Sequence, residues 1–437
     1  MDAGTLIDLD ITGVAHGGVF VGRHEGRVVF VPDAIPGERV RVRLSDVTKK
    51  SFWRGEVIEV LDASPDRRPH VWRQADVDVA PEVRPGGADF GHIDLQRQRS
   101  LKVEVLGDAL QRFGGMANPA FAIEPARPIL APDGRVLAEE TGDGTGWRTR
   151  VSLHVDEAGR VGPYAARSHT VIPVDELPLA TAEVAEAALA LTRGEPGRID
   201  LVQPADGRVR VLRRPDGGRR DGKDPGREVV VERASGRDFR VDAGGFWQVH
   251  RLAAHSLTGL VTDALLAEGS VDPDGWHLDL YGGVGLFGAT LASLAGSSAR
   301  VTSVESDPRA TEHAGENLAE WIGARAETGR VDRWVTRLAA EASTAQRERL
   351  SRGIVLLDPP RAGAGRVVVE SVADLGARTV VYVACDPVAL ARDLATFRDV
   401  GYDTVAVRAL DIFPNSHHVE AVATLRRADA AKLGWSA

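Results

Sequence analysis

Over the first sixty or so positions, apolar and polar residues alternate in short runs: LIDLDITGVA, GGVFVGR, RVVFVPDAI, GERVRVRLSDV and RGEVIEVLD. Alternation of period two marks half-buried strands, and glycine or proline separates the runs at roughly ten-residue spacing. Five such strands predict a small β-barrel over residues 1–62. The oligonucleotide-binding fold is the natural candidate, although an SH3-like barrel has the same spacing. From Ala63 to Ala88 the chain is proline-rich and irregular, and LQRQRSLKVEVLGDALQRF then carries apolar residues at helical spacing.

A middle region completes residues 63–245. It alternates strand-like runs (WRTRVSLHVD, RIDLVQPADG, RVRVLRR, EVVVERASG, DFRVDAGG) with one alanine-rich helix near Thr181 to Arg193. This predicts an α+β module, with a disordered loop near 214–228 where GGRRDGKDPGRE is dense in glycine and charge. From residue 246 to 437 strand and helix alternate. HLDLYGGVG, RVTSVESD, GIVLLDPP, TVVYVACDP, TVAVRALDIF and VEAVATLRRA are the strand-like runs. Repeated βα units predict an α/β, Rossmann-like, doubly wound parallel sheet with its ligand at the carboxyl ends of the strands.

Length and composition narrow the chemistry. A chain of 437 residues is long enough for two or three domains, each with its own core. The single cysteine, Cys385, excludes an intramolecular disulfide, a multi-cysteine zinc site and a cysteine-ligated iron–sulfur cluster. No metal site is expected. The adjacent His417 and His418 should point in different directions from an extended chain, which disfavours chelation by the pair. No apolar run reaches membrane-spanning length and the amino terminus lacks a signal-peptide pattern, so the expectation is a soluble cytoplasmic protein. A net charge of −9 argues against a uniformly basic nucleic-acid binder, and any RNA contact must be local. The best candidate lies on the predicted barrel, where Arg41, Arg43, Lys49, Lys50 and Arg54 are interleaved with Phe52 and Trp53.

Four motifs carry the chemistry. In WHLDLYGGVGLFGATLA a strand enters a glycine-rich turn and opens a helix, and Glu305 ends the next strand about 20 residues on, where a carboxylate can accept from ribose hydroxyls. The pair implies an adenosine-containing cofactor. Because DLYGGVG departs from dinucleotide-binding spacing, S-adenosylmethionine is favoured over NAD. GIVLLDPPRAG places Asp358 at the sheet edge, followed by a proline-stiffened exit. In VVYVACDPVALARDL, Cys385 is either a core thiol or, at the start of a helix that can depress its pKa, a nucleophile. FPNSHHVEAVATLRR puts Glu420 at the head of the last strand.

These motifs, in this order, resemble the RNA uracil-5-methyltransferase family, which makes 5-methyluridine in tRNA or ribosomal RNA from S-adenosylmethionine. The upstream GGFWQVH is similar to the motif that opens that family's catalytic domain, and GVFVGR…VFVPDAIPGERVRVRL resembles the RNA-binding TRAM barrel. The resemblance implies Cys385 as nucleophile and Glu420 as base. Cofactor contacts would fall to Gln248, Tyr281, Gly283, Gly285, Glu305 and Asp358, with Arg361 supporting the site and structured RNA as substrate.

Three departures accompany it. Ala88 stands where many members have a cluster cysteine, so no iron–sulfur cluster is expected; Leu286 replaces a polar residue after the glycine turn; and ACDP replaces SCNP, so that Asp386 should raise the thiol pKa by repulsion. The alternatives are an RNA cytosine-5 methyltransferase and a non-catalytic RNA-binding or RNA-folding protein.

Overall fold

Strand β1 (Leu6–Ala15) buries Ile7, Leu9 and Ile11 and exposes the residues between them, as its alternation requires. It is joined by β2 (Val19–His24), β3 (Arg27–Val31), β4 (Arg39–Asp46) and β5 (Phe52–Asp62), which close a barrel in the order β1-β2-β3-β5-β4. The computed structural model describes residues 1–217 and 224–428. After an irregular stretch with two short 3-10 turns comes α1 (Leu95–Arg112), begun by Asp94, whose carboxylate accepts from Gln96 N at 2.9 Å. This helix is a wall shared by two cores. Leu101 packs in the barrel core with Phe90 and Ile93, while Leu106 and Leu110 belong to a core of the carboxyl-terminal sheet.

The central region contributes β6 (Ile123–Pro125), a hairpin of β7 (Ile129–Leu130) and β8 (Val136–Ala138), then β9 (Arg150–Val155), β10 (Val161–Gly162), α2 (Ala182–Leu189), β11 (Gly197–Val202) and β12 (Arg210–Pro215). Strands β10-β9-β11-β12 form an antiparallel sheet, and β13 (Val229–Ala234) and β14 (Arg237–Asp242) a separate hairpin. Helix α2 stops short of the expected Arg193, because that residue bridges to Arg160 and glycine follows it. Of the loop expected near 214–228, the flanks are regular: β12 runs to Pro215, and Pro225–Arg227 forms a 3-10 turn. The rest of that expectation, residues 218–223, lies outside the described residues.

The last part follows as α3 (Ala253–Ala267), β15 (Trp276–Leu280), α4 (Leu286–Ala295), β16 (Arg300–Glu305), α5 (Pro308–Asn317), β17 (Ala324–Thr328), α6 (Val331–Glu341), α7 (Thr344–Ser351), β18 (Ile354–Leu357), α8 (Arg366–Leu375), β19 (Thr379–Ala384), α9 (Pro387–Asp399), β20 (Tyr402–Asp411) and β21 (Glu420–Arg427). The sheet order is β17-β16-β15-β18-β19-β21-β20-β6. Strands β17 to β19 are mutually parallel, and every residue of β18 and β19 is buried, as expected of strands with helices on both faces. The all-parallel expectation fails at β21, which is antiparallel to both β19 and β20. Only residues 412–419 join β20 to β21, too few for the crossover that a parallel neighbour needs. At the far edge β6, from well upstream, pairs in parallel with β20. Lys102 ties α1 to this sheet: its buried ammonium donates to Asp411 Oδ1 at 2.6 Å and to the Phe413 carbonyl at 3.0 Å. Among the described residues no helix is long and apolar enough to cross a membrane.

Candidate active site

Three neighbouring strands end together. Asp358 follows β18, Cys385 follows β19, and Glu420 heads β21. The register Ala384↔Ala421 continues to set Cys385 opposite Glu420. Glu420 is 6% exposed, and burial, reinforced by Asp358, holds its carboxyl well above the usual range while Arg361 opposes the shift. Burial and the Asp279 charge push Asp358 up to about 7. The Cys385 thiol is pushed up to about 11, first by burial and then by Glu420, with Arg361 pulling the other way. The expected depression by the α9 terminus is therefore outweighed: desolvation and two carboxylates exceed the pull of a helix end. Asp386 is not the source of the shift. Its carboxylate is occupied as the cap of α9, accepting from Val388 N at 3.0 Å and Ala389 N at 2.8 Å.

A cavity of ≈ 70 Å³ adjoins Cys385, bounded by His16 and Gly18 of the barrel, Lys102 of α1, Arg361, His417 and His418. The barrel is thus part of the site. A Cβ at Gly18, where φ is +73°, would lie 2.8 Å from His417 Nδ1, so only glycine permits this approach of the β1–β2 turn. The two histidine rings lie 4.1 Å apart, contrary to the expectation that they diverge, because residues 412–419 form a turn and not an extended strand. Among the described residues no group of three or more His, Cys, Asp and Glu is placed to hold a metal ion. His417 instead contacts Asp89 at 2.7 Å, and His418, its pKa lowered to about 3 chiefly by burial, stands 3.4 Å from Arg361 Nη2. The turn is fixed by Asn415, fully buried at φ +65°, which accepts from Gln98 and donates to the Asp143 and Gly144 carbonyls.

The second half of the site is the turn after β15. Tyr281, Gly283 and Gly285 all have positive φ, at +64°, +54° and +89°. A Cβ on Gly282 would fall 1.9 Å from Ser303 Oγ and 2.6 Å from Asp279 Oδ2. Asp279 organises the turn: its Oδ2 accepts from Gly288 N at 3.0 Å and Ser303 Oγ at 2.9 Å, while Oδ1 is buried without a partner. Burial raises this carboxyl to about 6. Glu305 Oε2 accepts from Gly283 N at 3.2 Å, linking the β16 end to the turn. Tyr281 is half-buried, and burial pushes its phenol up to about 12. Gln248, half-buried, lies between β14 and α3; Asn317 ties β14 to the glycine turn by accepting from Arg240 N and donating to the Val284 carbonyl. Leu286 is 8% exposed and packs into the core. The glycine cradle, the acid at the end of β16 and an unsatisfied buried oxygen beneath the turn fit an adenosine-bearing cofactor.

Much of the candidate basic patch is internally paired. Arg41 bonds Asp8 at 3.0 Å and Glu59 at 2.8 Å, and Arg43 pairs with Glu82. Lys49, Lys50 and Arg54 are exposed. Ala88 is 3% exposed, in an apolar cluster with Trp72, Trp147 and Leu177. His16, Asn415 and Asp279 went unassigned in the sequence. Only Asp279 carried a local signal, as the one acid inside the apolar run WHLDL.

A βα sheet with this glycine turn, and with a thiol and two carboxyls where its strands end, defines a methyltransferase, and the barrel over its mouth points to RNA. Comparisons with known proteins agree. The TRAM domain model matches residues 3–58 and the tRNA (Uracil-5-)-methyltransferase model residues 271–428. A Streptomyces avermitilis protein described as an uncharacterized RNA methyltransferase is 39% identical, over 97% of this chain and 99% of its own. One from Streptomyces coelicolor with the same description is 37% identical, over 97% and 93%. The crystal structure of Pyrococcus abyssi tRNA (uracil-54, C5)-methyltransferase in complex with S-adenosyl-L-homocysteine shares the fold, with a TM-score of 0.66 at 21% identity over 96% of this chain and 100% of that one. The chain belongs to the S-adenosylmethionine-dependent RNA (uracil-5-)methyltransferase family.

Proposed function

We propose that the protein methylates carbon 5 of a uridine in tRNA or ribosomal RNA through a covalent adduct between Cys385 and carbon 6. The placement of Cys385 opposite Glu420, beside a cavity that the RNA-binding barrel helps to bound, carries this reading. The turn from Tyr281 to Gly285, Glu305, Asp358 and Gln248 would hold S-adenosylmethionine, which supplies an electrophilic methyl group when bound.

Carbon 5 of uracil is a weak nucleophile. Addition of the Cys385 thiolate to carbon 6 breaks the 5,6 double bond and gives an enolate whose carbon 5 can take the methyl group. Glu420 then accepts the proton of carbon 5, the double bond re-forms, and Sγ leaves with its electron pair. A carboxyl held above its usual range is the stronger base once ionised, and Arg361 offers the positive charge that favours both the thiolate and the carboxylate. Exposed Lys49, Lys50 and Arg54 on the barrel would meet RNA phosphates, and a stacked target base must be extruded to reach the thiol.

Nucleoside mass spectrometry of tRNA and ribosomal RNA after incubation with enzyme and labelled cofactor tests the reading. It expects 5-methyluridine, none with Cys385→Ala, and an RNA adduct stable in denaturant with Glu420→Gln. Methylation by Cys385→Ala would overturn the covalent route, and 5-methylcytidine as product would overturn the uridine assignment.

A further inference from the structure

Away from the site already described, a cavity of ≈ 320 Å³ lies between the segment bearing Trp72 and Gly87 and the β9 side of the central sheet. Arg148 lines it. Three other arginines in this part of the chain meet a carboxylate, Arg84 bonding Asp33 at 2.7 Å, Arg150 bonding Glu232 at 2.9 Å and Arg67 bonding Glu38 at 2.6 Å, and Arg68 is held by Asn415 Oδ1 and the Asp143 carbonyl. The Arg148 guanidinium has no ion pair or hydrogen bond among the described residues; its Nε is wholly buried without a partner, and its neighbour is the Trp147 ring, 5.2 Å away. Burial alone acts on its pKa, with no acid opposing it. A guanidinium stays charged at any physiological pH, and an uncompensated charge in such a place is costly. The Trp72 indole nitrogen, also at this cavity, is a second buried donor without a partner.

Donors without acceptors beside an open volume call for an anionic acceptor from outside the chain. The cavity lies next to the barrel: Arg167, on its lining, donates to Glu56 of β5 at 2.8 Å. RNA reaching from the barrel across the central sheet would pass over it. We propose that this cavity is a second RNA contact, in which Arg148 holds a backbone phosphate of the substrate several elements away from the cysteine. The inference rests on RNA being the substrate.

The test measures the affinity of the full chain for a fluorescein-labelled, transcribed tRNA by anisotropy from low to moderate salt, with thermal melting to check the fold. Arg148→Met should weaken binding about tenfold or more, lower the slope of log Kd against log salt by about one, and act alike on transcripts of different loop sequence. Arg148→Lys should recover most of the affinity. Because Arg148→Met alters a half-buried position, Ser168→Asp supplies a second reading: it puts a repelling charge at the exposed rim and should also weaken binding. Wild-type affinity and slope in a folded Arg148→Met, or in Ser168→Asp, would overturn the proposal while leaving 5-methyluridine formation intact. So would a loss confined to one loop sequence, which means base reading, or stabilisation by inorganic phosphate alone with RNA affinity unchanged. Failure of the wild-type chain to bind RNA would overturn the wider reading as well.

Discussion

His16 Nε2 donates to Asp386 Oδ2 at 3.0 Å, joining residues 370 apart in sequence. The same carboxylate caps the first turn of α9 through its other oxygen, one residue after the thiol. One acid therefore starts the helix behind the Cys385 thiol and fastens the barrel to it.

His16→Ala should leave cofactor binding unchanged and reduce kcat/KM for RNA by no more than about fivefold, since a half-exposed pair contributes at most about 1 kcal/mol. Asp386→Ala, which removes the cap, should in addition lower stability by about 1 kcal/mol, and Asp386→Asn should not. Calorimetric titration with S-adenosylmethionine, RNA kinetics and urea unfolding separate these outcomes.

The thiol is raised by burial and by Glu420, and Asp386 is not among its causes. Glu420→Gln should therefore shift the iodoacetamide reactivity profile of Cys385 to lower pH, because removing a negative neighbour favours the thiolate. Asp386→Asn should leave the profile in place. The reverse pattern would show that charge at position 386 governs the thiol.

The turn after β15 has no room for a side chain at position 282. Gly282→Ala forces a methyl group against Ser303 Oγ and Asp279 Oδ2. It should weaken S-adenosylmethionine binding by at least about tenfold, the scale of breaking one charge-assisted hydrogen bond, and leave RNA affinity within about twofold. Titration of each ligand separately tests this.

His250 is 2% exposed, accepts from Leu252 N at 3.0 Å through Nδ1, and has its pKa lowered to about 3, chiefly by burial. Unfolded, it titrates near its ordinary value, so between that value and about 3 the unfolded chain binds more protons and stability falls as pH falls. Asp279 and Asp358, raised in the fold, bind protons there and oppose that slope. The difference between proteins isolates the histidine: relative to wild type, His250→Asn should gain up to about 3 kcal/mol on going from pH 7.5 to 4.5, read from urea midpoints.

What was legible in the sequence was what neighbouring residues decide. Alternation in LIDLDITGVA set the barrel face of β1, and the uninterrupted apolar run TVVYVA set a strand covered on both sides. The thiol and the glycine turn follow the carboxyl ends of β19 and β15, where βα order alone locates them; Glu420, at the head of β21, reaches that edge only because β21 runs antiparallel. Pairing between distant segments was not legible. Arg41 and Arg43 read as free charges until the barrel placed Asp8, Glu59 and Glu82 beside them. The direction of β21 depended on the length of the turn before it, and the proximity of His417 and His418 on how Asn415 bends that turn. His16 has no local mark, because its partner is supplied by the fold.

The short edge strand β6 has an implication for how the chain assembles. Its neighbour β20 lies near the other end, and Arg408, which bonds Glu124 beside that pairing, is 284 residues downstream. During synthesis the barrel can close as soon as its five strands have emerged, whereas β6 must wait for almost the whole chain. A fragment beginning at residue 246 would leave one side of β20 uncovered, with its backbone donors and acceptors open to other chains. The catalytic half is thus completed by a piece of the half that precedes it, and cutting between them should give a product prone to self-association.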